Sequence, residues 1–267
     1  MKQIEVKVIN ADTIRGIEDM LLTAASLTQR GHKISSLEDF MTLYESRANI
    51  DIVPRHKILK SLSSLPHPTL QKLGVINVVV VGASRRFLAQ ITRHQNEVKF
   101  MSASLQYSDY SAANNKTDFV VPYDILDTEF EQSYIDSCRH DYELYGNLVQ
   151  NGISNDSAGY KMPQGLRNTL IISATPFQWK HMIGQRICNR NTPETRYVML
   201  KIWEELYKLS PIFEECNLFC MQGGCKEGKM SCLHKGMQPF YKSDTPSDIL
   251  RRDFSKLYGG TDENKQG

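Results

Sequence analysis

The sequence predicts a single α+β domain, and three observations lead there. Residues 75–81 (VINVVVV) are β-branched almost throughout, a short run that fits a buried strand. Stretches with apolar residues at helical spacing lie on both sides of it. The composition is that of a globular protein: 40% hydrophobic and 23% charged over 267 residues, long enough to bury a sizeable core.

The elements follow in order. Residues 12–28 read as a helix, because Ile14, Ile17, Met20, Leu21 and Ala24 recur at helical spacing. A second helix begins at Ser35, where Ser35 and Glu38 have the spacing of a capping box. A third runs over 55–65, and Pro66-His67-Pro68 breaks the chain. After the strand at 75–81, Gly82 ends it and Ser84 caps a helix to His94. Residues 98–107 read as extended. A long amphipathic helix over 123–150 closes at Asn151-Gly152. A short strand is expected at 170–174, then helices at 176–189 and 193–209. Thr192, Pro193 and Glu194 have the residue types of a helix start. One domain is expected over 1–243, followed by a polar, mobile tail over 244–267.

Several function classes fall away. There are 32 basic and 30 acidic residues, a net charge of +2, which argues against nucleic acid as a partner. No apolar run is long enough for a membrane span, and no secretory signal is seen, so a cytoplasmic protein is expected. Six cysteines in that setting point to thiols or a metal rather than disulfides. No G-x-G-x-x-G after a strand, P-loop, G-x-S-x-G or H-E-x-x-H is present.

The richest segment is 82–107, GASRRFLAQITRHQNEVKFMSASLQY. On a helix Gln90, Arg93 and His94 share one face at i, i+3 and i+4. On an extended segment Ser102, Ser104 and Gln106 point one way. A basic helix end facing hydroxyls and an amide could hold a planar, phosphorylated ligand. A solvated helix end beside an ordinary strand is the other reading of the local pattern.

The segment resembles the signature of the flavin-dependent thymidylate synthases. That pattern has Gln, two residues, Arg-His-Arg and then Ser-x-Arg-Tyr; here stand Gln90-Ile-Thr-Arg93-His94-Gln95 and Ser104-Leu-Gln106-Tyr107. Pro66-His67-Pro68-Thr69 resembles the family's Gly-His-x-Thr/Ser block. Residues 158–163 (AGYKMP) resemble its Ala-Arg-x-x-Leu-Pro block. His181 and Arg186-Ile-Cys188-Asn189-Arg190 follow at the family's spacing, the latter similar to a clostridial-type Arg-Cys-Cys-Asn-Arg. The departures are Gln95, Gln106 and Gly159 where the family has arginine, and Thr175 where it has a flavin-contacting asparagine. A glutamine replaces a charge-assisted, often bidentate bond with a neutral one about half as strong.

The resemblance implies a thymidylate synthase-complementing protein fold, a central sheet flanked by helices, assembled as a homotetramer. It implies reductive methylation of dUMP to dTMP with FAD, NADPH and methylenetetrahydrofolate. Arg186 and Arg93 would act on the base. Gln90, Ser102, Ser104 and Gln106 would join them in placing the nucleotide. His67, His94, Gln95, Thr175 and His181 would line the flavin. Cys188, Cys220, Cys225 and Cys232 fall where clostridial-type relatives carry cysteines. Four thiolates could hold a structural zinc, though the spacing lacks the tight C-x-x-C pair and free thiols remain the other reading. Two alternatives stand beside the leading function: a same-fold enzyme for a different pyrimidine nucleotide, and a non-catalytic nucleotide-binding oligomer.

Overall fold

The β-branched run forms the centre of the sheet. In the computed structural model, which describes residues 4–65, 67–111, 119–222, 224–232 and 240–257, four strands lie in the order β1-β2-β4-β3. They are β1 (Glu5–Val8), β2 (Ile76–Ser84), β3 (Val98–Ser102) and β4 (Arg167–Ala174), every neighbouring pair antiparallel. The helices are α1 (Ile14–Arg30), α2 (Leu37–Ala48), α3 (Ile52–Ser64), α4 (Arg85–Ile91), α5 (Glu131–Gln150), α6 (Asn155–Ala158), α7 (Pro176–Arg186), α8 (Pro193–Leu209) and α9 (Pro246–Asp253).

Alternation along the strands sorts the two faces of the sheet. Val78 and Val80 of β2 and Leu170 and Ile172 of β4 are buried in the core with Trp179, Ile183 and Trp203. α8 packs on β1 and β2, and α4 on β2 and β4. The opposite face carries a row set by register, in which Val79 pairs with Ile171 and Ile171 with Met101. Met101 on that face is 71% exposed. A smaller core forms where Tyr145 of α5 packs with Ala158, Met162 and Leu166.

Several boundaries differ from the sequence expectation. β2 does not stop at Gly82; it continues to Ser84 through a register shift between Val81 and Ala83. Gly82 has φ +83, and a Cβ there would collide with the Arg167 guanidinium. The positive φ favours glycine at this kink, and a side chain there would also displace the Arg167 guanidinium. Ser36, not Ser35, is the N-cap of α2, with Asp39 completing the capping box. α4 ends at Ile91, so Arg93 and His94 lie in the turn beyond it. α5 begins at Glu131 rather than 123. The strand at 98–107 stops at Ser102, and residues 105–107 form a turn. α8 and its Thr192 cap are as expected, with the Thr192 side chain accepting from Thr195 N. β1 was not anticipated.

The tail expected from 244 also needs correction. Thr245 and Asp248 form a capping box for α9, and Ile249, Leu250 and Phe254 are buried in the main core. Residues 258–267 of that expected tail lie outside the described residues. Among the described residues no helix is long and apolar enough to cross a membrane.

Candidate functional site

Two distant segments meet at Arg186. Its Nε donates to His94 Nε2 at 2.8 Å and its Nη2 to the Gln90 carbonyl at 3.0 Å. Asn191 Oδ1 accepts from Nη1 at 3.4 Å. Each terminal nitrogen of the guanidinium keeps a second proton for a further acceptor. Since His94 Nε2 accepts, its proton sits on Nδ1 in the neutral ring. His181 lies edge-on to His94, with ring centroids 6.0 Å apart.

Electrostatics keep these imidazoles neutral. Burial, the Arg186 cation and His181 push His94 down to about 4, and burial lowers His181. Burial also lowers Arg186, as does the nearby Arg93. Two arginines and two neutral imidazoles therefore occupy one corner, and no carboxylate among the described residues hydrogen-bonds to any of them. Such a corner suits an anionic or carbonyl-bearing ligand.

Buried contacts hold α4 against α8, and through it the corner. Glu194 accepts from Ser84 N at 2.6 Å and from Ser84 Oγ at 2.5 Å. Burial raises the Glu194 carboxyl, and the Ser84 bonds pull it back. Gln90 Oε1 accepts from Thr195 Oγ1 at 2.5 Å and Thr192 Oγ1 at 3.3 Å. The Gln90 side chain thus faces α8, and its backbone carbonyl meets Arg186. Neither the Ser84–Glu194 nor the Gln90–Thr195 contact was foreseen. A glutamate in the first turn of α8 reads locally as a dipole partner.

The remaining expected residues are placed as follows. His67 is exposed at the N-cap of a 3-10 turn, Pro68–Lys72. Gln95 is exposed. Thr175 is the N-cap of α7, its hydroxyl accepting from Gln178 N at 3.4 Å. Ser102 ends β3, whereas Ser104 Oγ accepts from Gln106 N at 3.1 Å within the turn. The expected row of Ser102, Ser104 and Gln106 is therefore broken after Ser102. That turn lies against Gly159, where an added Cβ would be 3.4 Å from Leu105 Cβ. The two neutral positions, Gln106 and Gly159, thus belong to adjoining segments.

A cavity of about 430 Å³ lies between the 68–72 turn and α7, bordered by Pro68, Gln71, Lys180, His181 and Gln185. Lys180 is 3% exposed and donates to the Ser63 carbonyl at 2.7 Å, and burial pushes it down to about 8. Sequence reasoning missed this lysine; the signal was a cation set inside the run Trp179-Lys180-His181-Met182-Ile183.

The zinc expected on the cysteines is corrected. Among the described residues no three His, Cys, Asp or Glu side chains come together as a metal site. Cys188, Cys220, Cys225 and Cys232 are free thiols. Burial pushes Cys220 up to about 11 and raises Cys188, whereas a hydrogen bond from Ser231 lowers Cys225. Cys232 is turned toward Asn189 Nδ2 at 3.8 Å. Cys220 is also raised by Cys225, Cys188 and Cys232, so the four thiols are neighbours, but among the described residues they do not close into the tight group that a metal needs.

A family model described as Thymidylate synthase complementing protein matches residues 12–212. The chain belongs to that family. Within it, a flavin-dependent thymidylate synthase from Pyrococcus abyssi is 26% identical over 204 residues, covering 74% of this chain and 82% of the relative. A solved structure of flavin-dependent thymidylate synthase from Helicobacter pylori, complexed with FAD and dUMP, has a TM-score of 0.57 at 17% identity. It covers 74% of this chain and 94% of that one. A UMP/dUMP methylase from Streptomyces cacaoi, bound with 5-Br dUMP, also has a TM-score of 0.57, at 16% identity, covering 79% and 93%. These likenesses show the thymidylate synthase-complementing fold, α+β with an antiparallel sheet.

Proposed function

We propose that the chain is a flavin-dependent thymidylate synthase, converting dUMP to dTMP with FAD, methylenetetrahydrofolate as carbon donor and NADPH as reductant. The observation that carries this reading is the corner where Arg186 binds His94 and the Gln90 carbonyl with Arg93 beside it. FAD fits what the chain offers: a cationic corner for an anionic, planar ligand and a cavity of about 430 Å³ on the His181 side. Bound FAD supplies the hydride that the reduction needs.

The protein's own part is positioning and electrostatics. Arg186 is oriented by three acceptors and keeps N–H groups for a base carbonyl on which negative charge develops. His94, neutral at pH 7, accepts from Arg186 without adding charge repulsion. Arg93 adds a second cation for the nucleotide or cofactor. No described cysteine is needed as a nucleophile, and the half-buried Cys188 thiol, held in its protonated form by burial, suits none. Free thiols fit a reducing, cytoplasmic setting.

A second reading is favoured by one observation. Gln106 and Gly159 adjoin and supply no charge, so the nucleotide end differs from that of a relative with arginines there. A same-fold enzyme with a wider pyrimidine nucleotide range is that reading. Self-association as a homotetramer is supported by the open apolar face of the sheet.

The test is formation of the 5-methylated nucleotide, dTMP from dUMP or 5-methyl-UMP from UMP, by purified protein supplied with FAD, NADPH and methylenetetrahydrofolate. Product from dUMP is expected, and Arg186→Ala should lower the rate by about 2.7–4 kcal/mol of transition-state stabilisation, while Cys188→Ala leaves it near wild type. No product together with no FAD binding would reject the reading. Product from UMP at an equal rate would favour the second.

A further inference from the structure

The methylation chemistry leaves a group of neighbouring thiols unused: Cys188, Cys220, Cys225 and Cys232. Their surroundings differ. Cys232 is buried, and Asn189 Nδ2 approaches its sulfur at 3.8 Å. Cys188 is half-buried, and burial raises its thiol although the Arg190 backbone N–H points at the sulfur. Cys225 is partly open to solvent and is followed by the exposed residues 226–230.

Three donors converge on the Cys225 sulfur. They are the Ser231 hydroxyl, the Glu227 backbone N–H and the Cys220 thiol. Together they hold Cys225 below the ordinary thiol range, against its slight burial and the Glu227 carboxylate. The thiolate is the form that oxidants attack. A solvent-accessible thiol of lowered pKa beside a second thiol is the arrangement of a redox-responsive cysteine.

Cys220 is the partner in contact. It sits in the 3-10 turn Phe219–Gln222, packs against the main core, and its thiol meets the Cys225 sulfur. Burial, with the neighbouring thiols, pushes it up to about 11, so it keeps its proton until Cys225 has been oxidised. Gly224, the residue before Cys225, has φ +135 and open space where a Cβ would stand. Backbone of that kind can turn to bring the two sulfurs to the bond length of about 2.05 Å. The other thiols are placed less well. Cys216 is buried beside Met221 Sδ at 3.7 Å, and Cys138 is buried on α5.

We propose that Cys225 and Cys220 are a peroxide-responsive pair that closes into a reversible disulfide. The Cys225 sulfur attacks one oxygen of hydrogen peroxide and the O–O bond breaks. Cys225 becomes a sulfenic acid, and the departing hydroxide takes up a proton and leaves as water. The Cys220 sulfur then attacks the Cys225 sulfur. Its proton goes to the leaving hydroxyl, which departs as a second water. Two electrons pass from the two thiols to the peroxide, and a dithiol reductant returns them. A transient bridge of this kind is the form that disulfides take in a reducing compartment. The bridge ties the segment that carries Glu227 to the core, and Glu227 pairs with Arg190 in the loop that follows Arg186.

The test treats the full chain, loaded with FAD, with hydrogen peroxide. N-ethylmaleimide then labels the remaining thiols under denaturing conditions, and intact mass counts the labels. Two of the six cysteines should escape labelling after peroxide and return with dithiothreitol. Peptide mapping should place the bridge between Cys220 and Cys225. Cys225→Ser should form no bridge, and Cys220→Ser should stop at a sulfenic acid on Cys225 that dimedone traps. Cys188→Ser and Cys232→Ser should behave as wild type. The dimedone label reads Cys225 itself, so the Cys220→Ser result stands even where Cys225→Ser misfolds. Full labelling of the peroxide-treated wild type overturns the proposal. So does a bridge to Cys188 or Cys232, or a Cys220→Ser variant whose Cys225 takes up no dimedone.

Discussion

His94 is the residue on which the pH behaviour of the site turns. It faces Arg186 and His181, and burial comes before both in holding its pKa near 4. In the unfolded chain the ring titrates near 6.5. The folded value is the lower one, so the unfolded state binds more protons between the two. His94 therefore contributes stability that is present above about 6.5 and lost as pH falls through about 4. The urea midpoint should drop across that window, and His94→Gln should flatten the drop. Some slope should remain, because burial lowers His181 as well. An identical slope in the variant would count against this account. Around this ring, only the family resemblance brought Gln90, His94 and Arg186 to one site; the shared helix face expected of Gln90, Arg93 and His94 fails because α4 ends at Ile91 and the Gln90 side chain turns to α8. Thr175 and Ser104 were not legible, because a hydroxyl that caps a helix or closes a turn has the same sequence as one that faces a ligand.

Among the elements, α9 was the least visible. Its residues are mostly polar, and the contacts that hold it are far away in sequence. Phe254 is fully buried, its ring 5.2 Å from both Tyr123 and Tyr197 and under the Arg196 guanidinium at 5.4 Å. Arg196 also pairs with Asp253. Phe254→Ala should cost about 3–5 kcal/mol in chemical unfolding, and a chain ending at 243 should lose at least as much. Unchanged stability of the shortened chain would show that α9 adds nothing to the domain. By contrast β2 and α8 could be read directly, one from its β-branched run and the other from Thr192-Pro193-Glu194. β1 is a four-residue edge strand whose alternation is too short to stand out. α4 stops early with no glycine or proline to announce it; the Thr92 hydroxyl and N–H both turn back to the Leu88 carbonyl.

At the scale of the whole molecule, the described helices leave residues on one face of the sheet exposed. Val79, Ile171 and Met101 lie side by side there, joined by register across three strands. An apolar row of this kind is costly in water and favours a second copy. Light scattering should give the wild type a mass above that of one chain, and Ile171→Lys with Met101→Lys should reduce it. A monomeric wild type, or a double variant with unchanged mass, would argue against this face. The connectivity has one more consequence, and it concerns synthesis. Gln90 and Arg186 meet across 96 residues, and Gln90 and Thr195 across 105. β2 finds its partner β4 only after some ninety further residues have been made. The N-terminal helices can pack from local contacts while the rest is still being translated, but long-range pairing comes late. On the ribosome β2 therefore waits for its central partner through about a third of the chain's elongation. The site arises in one step, once α8 has emerged, and a product released before that point carries helices and no chemistry.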